Sequence, residues 1–372
     1  MKVVLIQGLL SPYRYPVYEE MAKTPGWDFE VWFMGMKVKN RIWKIRDLSE
    51  YNFKYRFLKG KTFNFGLEDN YPFWVNPNAP FLLAKEKPQS VIMVGWDSIT
   101  SFLIHIACKI LKIKFFVYSD STISERSWRR TLTLPFVKLH VLSADGCIAG
   151  GTRAKDYFRS LGVKEDKITI SYNTIDVDKY VNSVKDHKEL KSGGSKKVIM
   201  YYGQLIRRKG VDILLEAYKR LKKIHNNMSL LIIGDGYLKQ FLIEKITIEN
   251  IKDVNILDNP GDNDIFKYYA KADVFVLPSR EDVWGIVVNE AMAAGLPVVA
   301  SNAVGASSDL IKDGLNGYIF ESENVGELTK YLEDILKDNK KRIQMSEQSL
   351  NIINSFTPKE AAQSIVDMVN NV

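Results

Sequence analysis

The alternation of short apolar runs with longer helical patterns constrains the fold more than any other feature of this chain. In both halves, runs rich in Val, Ile and Phe are followed by amphipathic stretches of helical length. This alternation is typical of parallel sheets built from strand–helix–strand units. The predicted strands are residues 3–7, 29–33, 53–58, 91–94, 115–119 and 146–149, then 198–202, 230–233, 254–257, 274–277, 298–300 and 317–320. We therefore predict an α/β fold with two similar units.

A polar segment divides the two sets of strands. The chain has 372 residues, which is too long for one ordinary core, and residues 182–197 contain the sequence Lys-Ser-Gly-Gly-Ser-Lys, which resists packing. We predict domains at residues 1–180 and 181–356. Thr357, Pro358 and Glu360 form a helix-start pattern. The predicted helix 357–372 is a candidate to pack back on the first domain.

The positive charge lies in the first domain. Residues 1–180 hold 27 Lys and Arg against 18 Asp and Glu, whereas the rest of the chain is nearly balanced. Such asymmetry indicates an anionic partner, which is a membrane surface, a phosphorylated acceptor or nucleic acid, or else a lysine-rich solvated surface. Cations mix with aromatic residues in 37–61 and 125–138, which favours peripheral membrane association, although core packing explains much of the same pattern.

Cysteine use and the N-terminal residues indicate the compartment. Cys108 and Cys147 are the only two cysteines, and both lie in apolar surroundings, so neither a disulfide framework nor a cysteine-rich metal site is supported. Met1 and Lys2 lead directly into a predicted strand without a signal-peptide pattern. We predict a cytoplasmic protein.

The strongest chemical signal is residues 273–300, where a strand leads through a loop into a helix. Backbone N–H groups at Gly285, Ile286 and Val287 are predicted to be free at the helix start, which suits an anion. Glu290 follows about one turn later, and its carboxylate can accept from paired hydroxyls such as those of a ribose. The alternative makes Glu290 a solvent-facing helix residue and Asp282 an N-terminal cap.

This segment resembles the signature of glycosyltransferase family 4, in which an acid, seven residues and a glutamate precede Ala-Met-Ala-x-Gly-x-Pro-Val-Val. The resemblance implies the GT-B fold, with two Rossmann-like domains facing across a cleft. It also implies that Asp282 contacts the donor sugar, that Glu290 holds the ribose, and that the N–H groups between them meet the diphosphate. Family members usually carry glutamate at the position of Asp282.

Residues 198–217 resemble the strand, basic loop and helix that open the family's nucleotide domain. Lys209 matches the phosphate lysine, whose cation would neutralise the departing diphosphate. Gln204, which is a predicted substrate-binding residue, stands where the family has arginine, and Arg208, in preference to Arg207, is predicted to supply the missing charge. A basic loop at a helix start is otherwise simply solvated. Gly234 and Gly236 lack the third glycine of a dinucleotide fingerprint, which disfavours an oxidoreductase.

The resemblance implies that the first domain binds the acceptor. It also implies that the loop at residues 7–14 approaches the donor diphosphate. Gly8 would allow close backbone approach there. Asp120 is the best candidate for an acceptor-side acid, with a helix cap or turn aspartate as the equal alternative. Residues 11–16 and 40–43 look like a branch of the family that builds bacterial surface polysaccharides.

The resemblance implies a retaining glycosyltransferase that moves a hexose from a nucleotide sugar, with UDP as the expected nucleotide, to a hydroxyl of a glycan or lipid-linked acceptor. The predicted partners are that donor, that acceptor and an anionic membrane surface, with no nucleic acid. No cofactor and no metal are expected, because the cations do the work of a divalent ion. Another GT-B enzyme, such as an epimerase, is one rival. A catalytically silent nucleotide-sugar-binding or scaffold protein is the other.

Overall fold

The computed structural model describes residues 1–9, 11–35, 51–65, 71–96, 98–124, 128–187, 196–261 and 264–372. The strands form where the β-branched and aromatic runs occur. In chain order they are β1 Lys2–Gln7, β2 Asp28–Phe33, β3 Lys54–Phe57, β4 Lys61–Phe65, β5 Tyr71–Val75, β6 Ser90–Val94, β7 Lys114–Ser119, β8 Gly146–Ala149, β9 Ile168–Ile170, β10 Lys197–Tyr202, β11 Met228–Ile233, β12 Val254–Leu257, β13 Val274–Leu277, β14 Val298–Ser301 and β15 Gly317–Phe320. All twelve predicted strands are present, with bounds shifted by two residues or fewer.

Helices connect these strands. They are α1 Tyr15–Ala22, α2 Ala79–Glu86, α3 Ile99–Leu111, α4 Trp128–Leu142, α5 Thr152–Ser160, α6 Val177–Lys185, α7 Val211–Ile224, α8 Lys239–Ile248, α9 Phe266–Lys271, α10 Val287–Ala293, α11 Ser307–Leu310, α12 Val325–Lys337, α13 Asn339–Ile353 and α14 Pro358–Asn370. Within the described ranges, none of these helices combines the length and the apolar character that crossing a bilayer requires.

The chain divides into two compact units, one comprising Met1–Asn173 with Pro358–Val372 and the other Thr174–Thr357. The sequence placed the boundary later, at residue 180. That position lies inside α6, which packs on α9 and α10 of the second unit, and the rings of Tyr180 and Phe266 meet edge to face at 5.0 Å. Helix α6 therefore belongs to the second unit, and the boundary lies before it.

The first unit has a parallel sheet in the order β3-β2-β1-β6-β7-β8-β9, with a separate antiparallel pair β4-β5. Its core has one cluster on each face of the sheet, because alternate residues such as Val4 and Leu5 point to opposite sides. Helix α14 packs against α1 and buries Ile365 in one of these clusters. Ser171 Oγ also donates to the carbonyl of Ala361 at 2.9 Å.

Three strands of this unit were not predicted. Among the described strands, β4 and β5 pair with each other and not with the main sheet. β4 alternates aromatic with polar residues and β5 contains Pro72, so neither has the sequence of a central strand. β9 has three residues and lies at the edge of its sheet. Short edge strands carry little periodic signal.

The second unit has a parallel sheet in the order β12-β11-β10-β13-β14-β15. The strand order reverses between β10 and β13, which lie side by side although α7, β11, α8, β12 and α9 separate them in the chain. Open α/β sheets bind ligands beyond the carboxyl ends of the strands at such a reversal. The loops after β10 and β13 are therefore the place to look for a site.

Candidate functional site

The basic turn after β10 packs directly on the loop after β13. Arg207–Lys209 form a 3-10 turn, and Gly210 closes it with a φ of +67°. A Cβ at Gly210 would lie 2.0 Å from the carbonyl oxygen of Pro278, so no other residue fits both the conformation and the space. This glycine fixes the turn against the end of the neighbouring strand.

Arg208 joins the same two loops through its backbone and its side chain. Its carbonyl oxygen accepts from the N–H groups of Arg280 at 2.8 Å and Glu281 at 3.4 Å. Its guanidinium Nη1 donates to the carbonyl oxygen of Glu281 at 3.2 Å. Arg207, in contrast, is exposed, and its N–H donates to the hydroxyl of Tyr237 at 3.0 Å. The guanidinium of Arg208 therefore contacts the segment that carries Asp282, whereas Arg207 contacts that segment through its carbonyl oxygen, which accepts from Arg280.

Lys209 and Asp282 form an ion pair between the two loops. Lys209 Nζ lies 2.5 Å from Asp282 Oδ2, and the two side chains are 16% and 9% exposed. The backbone of Asp282 is held as well, because its N–H donates to Ala303 at 3.1 Å and its carbonyl accepts from Gly305 at 2.9 Å. The structure thus brings together the predicted phosphate lysine and the predicted donor-sugar acid, 73 residues apart in the chain.

The loop continues through Gly285 into α10. Gly285 has a φ of +87°, and a Cβ there would lie 2.8 Å from Leu277 Cδ2 and 2.9 Å from Val304 Cγ1. The N–H groups of Gly285, Ile286 and Val287 make no hydrogen bond to any residue that the structure describes. They precede the first intrahelical bonds, so they remain available to an acceptor.

Glu290 is held by a tyrosine that the sequence analysis did not identify. The hydroxyl of Tyr269, on α9, donates to Glu290 Oε2 at 2.9 Å. Burial and the nearby Glu290 carboxylate raise the pKa of Tyr269 well above its usual value, so the phenol keeps its proton. Tyr269 belongs to no recognisable motif, and its meeting with Glu290 depends on how α9 packs.

Arg280 connects the basic turn with the start of α7. Its guanidinium donates to both carboxylate oxygens of Asp212 at 2.8 Å, and to the carbonyl oxygen of Arg207 at 2.8 Å. Its Nε also donates to Glu323 at 2.7 Å. Burial alone would raise the pKa of Asp212, but its hydrogen bonds to Arg280 and to backbone N–H groups lower that pKa below its ordinary value. Arg280 lies within the predicted segment 273–300, but no sequence pattern indicated its role.

Gln204 lies at the end of β10 with an exposed side chain. Its carbonyl oxygen accepts from the hydroxyl of Tyr201 at 2.7 Å, which holds the backbone of the segment. Tyr201 is fully buried, and burial followed by the nearby Asp282 charge raises its pKa above its usual value. The predicted substrate contact of Gln204 stays a prediction.

Asp120 in the first unit is bonded to Arg14 and Asn173 among the residues that the structure describes. Its Oδ2 lies 2.5 Å from Arg14 Nη2, and its Oδ1 accepts from Asn173 Nδ2 at 2.9 Å. Arg14 is buried, and its guanidinium lies 4.5 Å from the centroid of the Tyr118 ring. Asp120 therefore has a structural role, because its ion pair with Arg14 joins the loops after β1 and β7. Its role as an acceptor-side acid stays a prediction.

Gly8, in the first loop, packs against an aromatic ring. A Cβ at Gly8 would lie 2.5 Å from Trp74 Cη2, so a side chain there would displace the indole. The carbonyl oxygen of Gly8 accepts from the N–H of Gly35 at 3.0 Å. Packing of Trp74 therefore explains this glycine without a ligand, and close approach of a diphosphate stays a prediction.

Parts of several predicted segments fall outside the described residues, namely residues 36–50, residues 125–127 and the linker at 188–195. The aromatic residues of 51–57 pack on one another, since the rings of Tyr51 and Phe53 lie 5.5 Å apart and Phe53 is buried. That segment therefore contributes to the core of the first unit. Across the described ranges, no group of three or more His, Cys, Asp and Glu residues is arranged to hold a metal.

The sequence and the fold of this chain are similar to those of known proteins. Residues 182–351, which include the whole site in the second unit, match the family described as Glycosyl transferases group 1. The crystal structure of Anabaena Alr3699/HepE in complex with UDP superimposes with a TM-score of 0.77, at 18% identity over the full length of both chains. That of WaaG, a glycosyltransferase involved in lipopolysaccharide biosynthesis, gives 0.68 at 17% identity, also over both full lengths. This chain has the GT-B fold.

The chain is similar to curated proteins over part of its length. It is 34% identical to an uncharacterized glycosyltransferase of Haemophilus influenzae, over 41% of this chain and 43% of the relative. It is 28% identical to the Campylobacter jejuni N-acetylgalactosamine-N,N'-diacetylbacillosaminyl-diphospho-undecaprenol 4-alpha-N-acetylgalactosaminyltransferase, over 50% and 49%. The capsular polysaccharide biosynthesis glycosyltransferase CapM of Staphylococcus aureus is also 28% identical, over 48% of each. The chain spans about half the length of the curated relatives it matches.

Proposed function

We propose that this GT-B protein is a glycosyltransferase that moves a sugar from a UDP-linked donor to a hydroxyl of a glycan or lipid-linked acceptor. The observation that carries the proposal is the contact of Lys209 with Asp282 at the strand reversal, beside the N–H groups of Gly285, Ile286 and Val287. The matched family and the relatives named for polysaccharide biosynthesis support it. One similar structure was solved with UDP and glucose, although at 18% identity that likeness concerns the fold.

In the proposed reaction, Lys209 and Arg208 stabilise the negative charge that develops on the departing diphosphate. A positioned cation acts most strongly where water is excluded, and the Lys209 side chain is largely buried. Asp282 orients the ammonium in the absence of donor. When donor binds, its phosphate oxygens are additional acceptors for that ammonium, while the Asp282 carboxylate can accept from sugar hydroxyls.

Glu290 is proposed to hold the ribose. Tyr269 fixes one carboxylate oxygen, and an ionised carboxylate has about four acceptor positions in all, so ribose hydroxyls can be accepted together with the tyrosine. This proposal makes Tyr269 a positioning residue, because it orients Glu290 without touching the donor.

We further propose that the anomeric configuration is retained and that no metal and no protein nucleophile takes part. The bond between the anomeric carbon and the phosphate oxygen breaks, and its electron pair leaves with UDP. The acceptor oxygen bonds to the same face of that carbon and gives its proton to a donor phosphate oxygen. The cations of the basic turn supply the charge stabilisation that a divalent ion provides in other transferases.

The proposal is tested by incubating the protein with UDP-sugars and acceptor hydroxyls, in the presence of a chelator, and measuring UDP release and product anomer. Release of UDP with an α-linked product from an α-linked donor is expected. A second candidate, a silent nucleotide-sugar-binding protein, is motivated by Asp282 and Gln204, which replace the residues usual in family 4. Tight UDP-sugar binding without UDP release for any acceptor would support that candidate instead.

A further inference from the structure

Helices α3 and α4 of the first unit lie side by side and expose apolar side chains. The rings of Phe102 and Phe136 meet edge to face with centroids 6.4 Å apart, and His105 of α3 contacts His140 of α4 at 4.8 Å. Ile106 and Ile110 continue the exposed face of α3, and Leu139 continues that of α4. We refer to Phe102, Ile106, Ile110, Phe136 and Leu139 as the α3–α4 surface.

Three of these side chains are more than half exposed to solvent. Ile110 is 74% exposed, Phe136 61% and Leu139 58%, and they belong to two adjacent helices instead of being scattered. Scattered exposed apolar residues need no explanation, whereas a contiguous group marks an interaction site. His105 of α3 and His140 of α4 are buried, so the opposite faces of the two helices pack against the core.

The charged side chains on the two helices of the α3–α4 surface are all positive. Neither helix contains an aspartate or glutamate, and the exposed Lys109 and Lys138 lie on the helices themselves. Residues 98–144 hold seven Lys and Arg against two acids, and one of those acids, Asp120, is paired with Arg14. Apolar side chains with a cationic border match the boundary between the acyl chains and the anionic headgroups of a bilayer.

We propose that the α3–α4 surface docks this protein on an anionic lipid bilayer, with Ile106, Ile110 and Leu139 entering the acyl region. A second copy of the chain fits less well, because a symmetric contact would bring Lys109 and Lys138 against the same residues of the copy. The proposal rests on the proposed function in one respect, because a transferase whose acceptor carries a lipid must work at a bilayer surface.

Binding of the full chain to vesicles tests the proposal. Wild-type protein is expected to sediment with vesicles of equal phosphatidylglycerol and phosphatidylcholine, and much less with phosphatidylcholine alone. The variant Ile106→Ser/Ile110→Ser/Leu139→Ser is expected to lose affinity by about tenfold or more. Lys109→Gln/Lys138→Gln is expected to lose about fivefold per lysine, and the loss should vanish at high salt.

The matched control is Ile224→Ser/Ile248→Ser, which removes two apolar side chains of the second unit that are 67% and 81% exposed. It is expected to bind vesicles as the wild type does. Equal binding by the α3–α4 variant would overturn the proposal. So would a wild type that ignores both vesicle types, or one that forms a dimer in ultracentrifugation which the α3–α4 substitutions dissociate.

UDP binding by calorimetry, measured on the same variants, separates this proposal from the proposed function. If the α3–α4 variant binds UDP normally but leaves the vesicles, docking is supported and folding is intact. If wild-type protein consumes UDP-sugar yet never binds vesicles, docking is overturned while sugar transfer stands. If vesicles are bound but UDP-sugar is neither bound nor consumed, the proposed function fails while docking stands.

Discussion

The ammonium of Lys209 lies 2.5 Å from Asp282 Oδ2, so the basic turn after β10 and the loop after β13 are joined at the reversal of strand order. The pair combines a cation suited to a diphosphate with an acid suited to sugar hydroxyls. Each residue therefore affects the other before any donor arrives, and substitutions at the two positions should not behave alike.

Replacing Lys209 removes the cation from the departing diphosphate. Lys209→Ala is expected to lower kcat by on the order of 10²–10³-fold while changing UDP affinity much less, since the charge matters most in the transition state. Steady-state kinetics together with calorimetry check this. Asp282→Asn is the companion variant, because it keeps the size of the side chain and frees the ammonium. A Lys209→Ala enzyme with normal turnover would remove this residue from the mechanism.

Glu290→Ala is expected to weaken UDP binding by about 1–3 kcal/mol, because ribose hydroxyls would lose a charged acceptor. Tyr269→Phe should weaken it by less, about 1 kcal/mol, since only the orientation of Glu290 is lost. Calorimetric titration with UDP measures both. Tyr268→Phe, one position away on α9, is the control and should leave affinity unchanged. Unaltered UDP affinity in Glu290→Ala would rule out the ribose role.

Arg280→Lys should loosen the basic turn, because lysine cannot donate to both oxygens of Asp212 and to the carbonyl of Arg207 in one planar arrangement. We expect a loss of about 1–3 kcal/mol in the free energy of unfolding, together with a lower kcat. Arg220→Lys alters a more exposed pair at 3.9 Å and serves as the control. Denaturant titration is the measurement, and equal stability of the two variants would argue against the role of Arg280.

The pH dependence of stability should reveal His140. Burial, with a smaller effect from His105, lowers the pKa of His140 to about 3, and its Nε2 has no hydrogen-bond partner among the described residues. The unfolded chain therefore binds a proton that the folded chain does not bind between pH 6.5 and about 3. The free energy of unfolding should fall with decreasing pH in that window, by about 1 kcal/mol per pH unit for this group.

Unfolding titrations at several pH values measure this slope. His140→Phe is expected to flatten it, because the aromatic packing against Phe115 is kept while the titrating ring is removed. His187→Gln, on the half-buried surface of the second unit, should keep the slope of the wild type. A His140→Phe slope identical to that of the wild type would show that other groups cause the acid sensitivity.

Sequence reasoning was most successful where the signal is local. The strands around Val274 and the loop containing Gly285 follow from apolar runs and turn chemistry, and the GT-B fold implied by the resemblance to family 4 is confirmed by the structural comparisons. Bonds between distant residues carry no such signal. Arg280 and Asp212 are 68 residues apart, and Arg14 and Asp120 are 106 apart, so only the packed fold reveals that they are partners. The packing of Gly8 against the ring of Trp74 likewise joins residues that are distant in the sequence, so no local pattern predicts it.

Helix α14 packs in the first unit although the whole second unit precedes it in the chain. During translation, residues 1–173 therefore emerge without α14, which shares with α1 the covering of one side of their sheet. The second unit, made of one continuous segment, is complete before Ile365 is synthesised. We therefore expect the first unit to complete its folding only after the second unit has been synthesised, when α14 becomes available to pack beside α1.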